Sequence, residues 1–306
     1  MARHARRASV GLSRIPMWLW LSLAGAGILL VAAVVVDLVS GGDHRPATPR
    51  PSASTASTPA PSHSLHTAVP LVSAAQLDAL PEASTWTTLP AAPITSDRSA
   101  IDGTVVHPTA AVAVFTEPGD TAFARLPTTQ VGSPTWLPVI DRRPGWVRVL
   151  LPTRPNGATG WLADSDQLQA ARTPFDIEVD LAARSLRLLR DGDEVGRWTI
   201  GVGTPVTPTP AGRTFVLASV TDPTQTYSPV ILPLGVHSNA LSTFAGGPGT
   251  VGLHTWPTPD VYGTPTSHGC IRVPPDAMRA LMTVPLGTPV VIHEHQPQPR
   301  GRTYPQ

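Results

Sequence analysis

The sequence predicts a mostly β protein: an N-terminal transmembrane helix, a disordered linker, a small β-barrel domain, and a larger β-rich domain with one short helix. Three observations predict it. Residues 17–36 run without a charge, and twenty residues at ~1.5 Å each span a ~30 Å bilayer core. The stretch that follows is Pro, Ser, Thr and Ala with almost no large apolar residue, so it cannot bury a core. From Thr104 onward, short apolar stretches alternate with turn signals, the pattern of consecutive strands.

Composition sets the outer limits. A chain of 306 residues with 41% hydrophobic content has room for two modest domains, and its net charge of +1 excludes a basic nucleic-acid binder. All 22 basic residues are Arg, which removes a Ser-x-x-Lys acyl-enzyme site and Schiff-base chemistry. The 36 Pro exceed what one compact domain holds and place part of the chain in an extended linker. The single Cys, Cys270, cannot form an intramolecular disulfide and is a free thiol.

Each segment follows in order. Residues 1–16 carry Arg3, Arg6, Arg7 and Arg14 ahead of the apolar run, so the N-terminus is expected in the cytoplasm and the rest of the chain outside it. Trp18 and Trp20 suit the headgroup boundary. The run is long for a cleaved signal peptide, and DLVSGGD after it has no Ala-x-Ala site. Residues 37–70 form the linker. In the connecting segment 71–100, Ser73 is placed to cap a short helix reaching Leu80, and the fold of the remainder is open. Residues 101–170 form the first β domain. Residues 174–295 form the second, with two antiparallel strands turning at Asp191 and Gly192, further strands near 230–236, 252–255, 269–273 and 290–293, and a helix over 275–282 with Pro275 in its first turn. A tail, 296–306, ends the chain.

Two segments of the second domain concentrate chemistry: VGLHTW with His254, and SHGCIRV with Cys270. A thiol with pKa near ~8.5 is mostly protonated at neutral pH and needs a base or a cationic neighbour to become a nucleophile. His254 is the natural base. Gly269, beside the thiol, lets the backbone approach a substrate, with the amides of Gly269 and Cys270 available to a developing oxyanion. Zinc is the rival chemistry for His237, His254, His268 and Cys270, but no H-x-x-x-H or C-x-x-C spacing occurs. No metal and no cofactor is expected.

His254, twelve residues, then Ser267-His268-Gly269-Cys270-Ile271-Arg272 resembles the signature of the L,D-transpeptidase (YkuD-type) family. TPTPAGRTFV and LGTPVVIH resemble further strands of that family, so the likeness covers about residues 174–294. It implies Cys270 as nucleophile, His254 as general base and later acid, and the Thr255 carbonyl as the group orienting His254. It also implies an oxyanion site shaped by Gly269 and a supporting His268, and substrate contacts from Arg272, Ser267, His237, Ser238 and Trp256. Where the family commonly has Gly after the catalytic His, this chain has Thr255 and then Trp256. The implied substrates are peptidoglycan stem peptides, joined as 3→3 cross-links through a Cys thioester with release of D-alanine, and carbapenems are implied inhibitors. A carboxypeptidase, a wall-protein attachment enzyme and a silent wall-binding module are the alternatives. The pair GWVRVLLP and GWLAD around Asn156 and Gly157 resembles the last hairpin of bacterial SH3-like domains, which makes 101–170 an SH3-like barrel that binds wall or acts as a spacer. On this reading the protein sits in the cell membrane with its catalytic domain in the wall space.

Overall fold

A computed structural model describes residues 67–98 and 101–295. The expected transmembrane helix, the cytoplasmic tail, nearly all of the linker and the C-terminal tail lie outside the described residues. Among the described residues no helix is long and apolar enough to cross a membrane.

The first lobe is a seven-stranded sheet. Its spatial order is Ala122–Leu126, Val112–Phe115, Thr159–Ala163, Trp146–Leu150, Leu137–Arg143, Thr104–Pro108 and Leu168–Arg172. The hairpin of Trp146–Leu150 with Thr159–Ala163 forms as the sequence predicts, Trp146 opposite Ala163 and Leu150 opposite Thr159. Among the described residues the two end strands, Ala122–Leu126 and Leu168–Arg172, are not paired with each other. One exposed edge is instead covered by the connecting segment, where the Ala83 amide donates to the Arg125 carbonyl (2.7 Å) and the Arg125 amide to the Pro81 carbonyl (2.9 Å). An edge strand left bare would template pairing with other chains.

That segment is therefore an integral part of the lobe. Ser73 caps the helix Ala74–Ala79 in a reciprocal capping box with Gln76. Ala83, Leu89 and Ala92 enter the same apolar cluster as Val114, Leu126 and Val149. Farther along, the Leu89 amide donates to the Arg154 carbonyl and the Thr95 amide to that of Gly157.

In the second lobe a five-stranded sheet runs Asp193–Thr199, Ser185–Arg190, Phe175–Asp180, Pro289–His293, Gly212–Phe215. It packs through Ile177, Val179, Val290 and Ile292 against Leu234, Val251, Leu253 and Ile271 of a three-stranded sheet: Leu232–His237, Thr250–His254, Ile271–Arg272. The helix Pro275–Leu281 closes this core with Ala277, Met278 and Leu281, and Pro275 sits in its first turn. Where two strands were expected between Phe175 and Thr199 there are three. The additional reversal, at residues 181–184, is made by the Asp180 carboxylate accepting from the Ala183 amide (2.8 Å) and by Arg184 at φ 49°. A carboxylate can nucleate such a turn without Gly or Pro.

Candidate active site

The strand Thr250–His254 is the middle strand of its sheet. Alternation sends Val251 and Leu253 into the core and turns His254 to the opposite face. Its ring, 6% exposed, donates from Nδ1 to the Thr255 carbonyl at 2.8 Å. A carbonyl only accepts, so the proton is on Nδ1 and Nε2 is left as the basic nitrogen. Thr255 is fixed in turn: its amide donates to Ser228 Oγ (3.0 Å) and its hydroxyl to the Tyr227 carbonyl (2.6 Å). Tyr227 also meets His254 edge to face, with ring centroids 5.1 Å apart.

Cys270 follows a tight loop whose hydrogen bonds are internal. The Gly269 amide donates to Ser267 Oγ (3.1 Å), and the Ser267 hydroxyl donates to the Cys270 carbonyl (2.5 Å). From below, the Thr209 hydroxyl donates to the Gly269 carbonyl (2.8 Å) and that of Thr207 to the Ser267 carbonyl (3.2 Å). Gly269 sits at φ +115°, a region that favours glycine. The parallel pairing of Leu253 with Ile271 and His254 with Arg272 then brings Cys270 beside Gly252, whose backbone hydrogen-bonds the thiol.

Burial dominates the electrostatics. It pushes the Cys270 thiol up, with the Gly252 backbone and the Arg272 charge pulling in the other direction. It also holds the His254 imidazole below its ordinary value, opposed by the Thr255 carbonyl and reinforced by Arg272. Both shifts favour the neutral forms, a thiol and an imidazole. Arg272 lies over the Trp256 ring, 3.9 Å from its centroid, and donates to Thr266 Oγ1 at 3.1 Å. A held base, an adjacent thiol and a cation bearing on both are the parts of covalent acyl transfer.

Over residues 174–292 the chain matches the YkuD family, the L,D-transpeptidase catalytic domain. No curated protein matches it. Among solved structures, the chain resembles an L,D-transpeptidase from Mycobacterium smegmatis at 18% identity, covering 48% of this chain and 90% of that one, with a TM-score of 0.32. It resembles the catalytic domain of the E. faecium L,D-transpeptidase at 29% identity, covering 39% and 95%, TM-score 0.31. It also resembles L,D-transpeptidase 3 from Mycobacterium tuberculosis in complex with a faropenem-derived adduct, at 18% identity, covering 45% and 74%, TM-score 0.33.

Within the YkuD domain, Cys270, His254, Thr255, Arg272 and Trp256 gather as one cluster, while other expected residues take different places. The Gly269 amide, expected to face an oxyanion, is engaged by Ser267 Oγ. Ser267, expected to touch substrate, is 2% exposed and braces the loop. His237 is fully buried, its Nε2 against Thr85 O (2.7 Å) and Oγ1 (3.0 Å), so it is a structural residue and not a substrate contact. Ser238 is also buried, with its hydroxyl accepting from the Ala240 and Leu241 amides. His268 is exposed and stacks on Phe244, centroids 5.3 Å apart. Sequence reasoning missed Thr207, Thr209, Ser228 and Thr266. Nothing in the local sequence marks a threonine that braces a loop about sixty positions away.

Proposed function

We propose that this protein is a peptidoglycan L,D-transpeptidase that forms 3→3 cross-links through a thioester on Cys270. The observation that carries the reading is the His254 ring, fixed through Nδ1 by the Thr255 carbonyl and set one strand away from the loop that presents Cys270. His254 Nε2 removes the thiol proton as Sγ attacks the carbonyl carbon of the third stem residue. The tetrahedral oxyanion faces the Cys270 amide. Collapse breaks the peptide bond, and the imidazolium returns its proton to the departing D-alanine amine. The side-chain amine of an acceptor stem then attacks the thioester, with His254 taking its proton and Cys270 regenerated.

Arg272, cationic over Trp256, favours the anionic sulfur during attack and is a candidate contact for a stem carboxylate. Acylation by penem and carbapenem β-lactams belongs to the same proposal, since one of the similar structures carries a faropenem-derived adduct. So does the location: residues 17–36 anchor the chain in the cell membrane and the linker carries the folded part into the wall space.

The test is mass spectrometry of products from a disaccharide-tetrapeptide incubated with the protein and with Cys270→Ala. Cross-linked dimer with loss of D-alanine, absent from the variant, supports the proposal. Tripeptide alone would replace it with an L,D-carboxypeptidase, and equal product from Cys270→Ala would overturn the mechanism.

A further inference from the structure

The loop 238–249 joins the strand Leu232–His237 to the strand that ends in His254. At its tip, Phe244 and Gly247 exchange backbone hydrogen bonds across Ala245 (φ 48°) and Gly246 (φ 78°). This tight turn sets Phe244 on His268, two residues before Cys270. The loop is a flap beside the thiol, and its base is closed from within by the Ser238 amide donating to the Gly249 carbonyl (2.8 Å).

The first lobe adds a second hold. Arg154 donates from Nη1 to the Ser238 carbonyl (3.0 Å) and from Nη2 to the carbonyls of Leu241 (3.0 Å) and Pro248 (3.0 Å). One guanidinium thus ties together the start, the middle and the end of the flap. Asn156 adds a two-way bond to the His237 backbone, accepting from its amide (2.9 Å) and donating to its carbonyl (2.7 Å). Thr85 Oγ1 lies 2.7 Å from Thr250 Oγ1, at the first residue of the strand that carries His254. Gly249, at φ +73°, leaves space for this arrangement: a Cβ there would stand 2.5 Å from the Leu241 carbonyl and 3.1 Å from Arg154 Nη2.

We propose that Arg154 is a positioning residue for the thiol chemistry: from the first lobe it fixes the 238–249 flap through three carbonyls, and with it the wall formed by Phe244 and His268. Arg suits the task because its planar guanidinium offers five N–H donors in a fixed fork, whereas a Lys ammonium is a flexible point charge. The inference rests on the transpeptidase reading for its activity arm. It gives the first lobe a part in catalysis that wall binding or spacing does not.

The experiment uses the full chain, its Arg154→Ala and Arg154→Lys variants, and Gly249→Ala, which disturbs the flap from within the YkuD domain. Hydrogen exchange of the peptide covering 238–249 is measured beside the rate of acylation by faropenem. Arg154→Ala is expected to speed exchange in that peptide, with the core strand Pro289–His293 unchanged, and to slow acylation at saturating faropenem by about 10- to 100-fold, the cost of a misplaced wall. Arg154→Lys should fall between, and Gly249→Ala should reproduce both effects. Unchanged exchange and unchanged acylation in a folded Arg154→Ala protein would overturn the inference, as would exchange raised equally over the whole chain. If the unmodified protein itself forms no adduct, the transpeptidase reading fails on its own, and the exchange comparison still decides whether Arg154 holds the flap.

Discussion

At the residue scale, one buried histidine is in position to act and another is not. His254, the proposed base, is kept below the ordinary imidazole range by burial, so it stays neutral at pH values where a surface histidine is already half protonated. Acylation of Cys270 should therefore keep more than half its rate at pH 6.5, with the acid limb below the ordinary value of ~6.5; a pH–rate profile with its midpoint at or above that value would contradict the assignment. His237 is held at about 4, chiefly by burial, and among the described residues its Nδ1 meets no hydrogen-bond partner. An unfolded chain takes up this proton near ~6.5, the folded chain only near the lowered value. Between the two the unfolded state binds more protons, and stability falls as pH falls, by up to ~3 kcal/mol. Urea unfolding at pH 7 and pH 4.5 checks this: the loss should shrink in His237→Gln. Both histidines were visible in the sequence, but only long-range burial by Thr85 separates their roles.

The element that matters most is the loop carrying Cys270. Its shape comes from hydroxyls: Ser267 inside it, Thr207 and Thr209 beneath it. Thr209 also accepts from the Gly203 amide at 2.9 Å, so Thr209→Val leaves one buried donor and one buried carbonyl without a partner. We expect a loss of about 1–3 kcal/mol in stability and a fall in kcat that exceeds any change in KM, measured by denaturant unfolding and steady-state kinetics. A matching loss in KM alone would assign Thr209 to binding. The strand pattern of this domain was legible because period-two alternation is local, and the Ser-His-Gly-Cys run stood out for the same reason. The turn at residues 181–184 was hidden because a single Asp180 side chain makes it, with no Gly or Pro to announce it. The Gly269 amide was misassigned because its acceptor is a side chain whose direction the sequence does not reveal.

For the whole molecule, the two lobes share more than a connection. Phe215, Leu217 and Ala218, which follow from a strand of the YkuD domain, are buried in the apolar cluster of the first lobe. Thr173 and Thr288 hydroxyls meet at 2.7 Å across the junction. Residues 174–295 on their own would expose that apolar surface. A fully buried Phe side chain alone accounts for about 1.5–3 kcal/mol, so the isolated domain should melt well below the full chain in a calorimetric scan; an equal Tm would show the lobes to be independent. The turn pattern marked out two β-rich parts. It did not reveal that the connecting segment completes the first lobe, because Ala83, Leu89 and Ala92 are spaced by loops and carry no periodic signal.

The proposed reaction passes through a covalent stem–enzyme thioester on Cys270. The most direct measurement is acid-quenched intact mass of the protein exposed to a disaccharide-tetrapeptide, followed by peptide mapping. A thioester intermediate gives an increment equal to the donor minus D-alanine, released by hydroxylamine and confined to the peptide containing Cys270. An adduct mapped to another residue, or turnover with no adduct and full activity in Cys270→Ala, would contradict it.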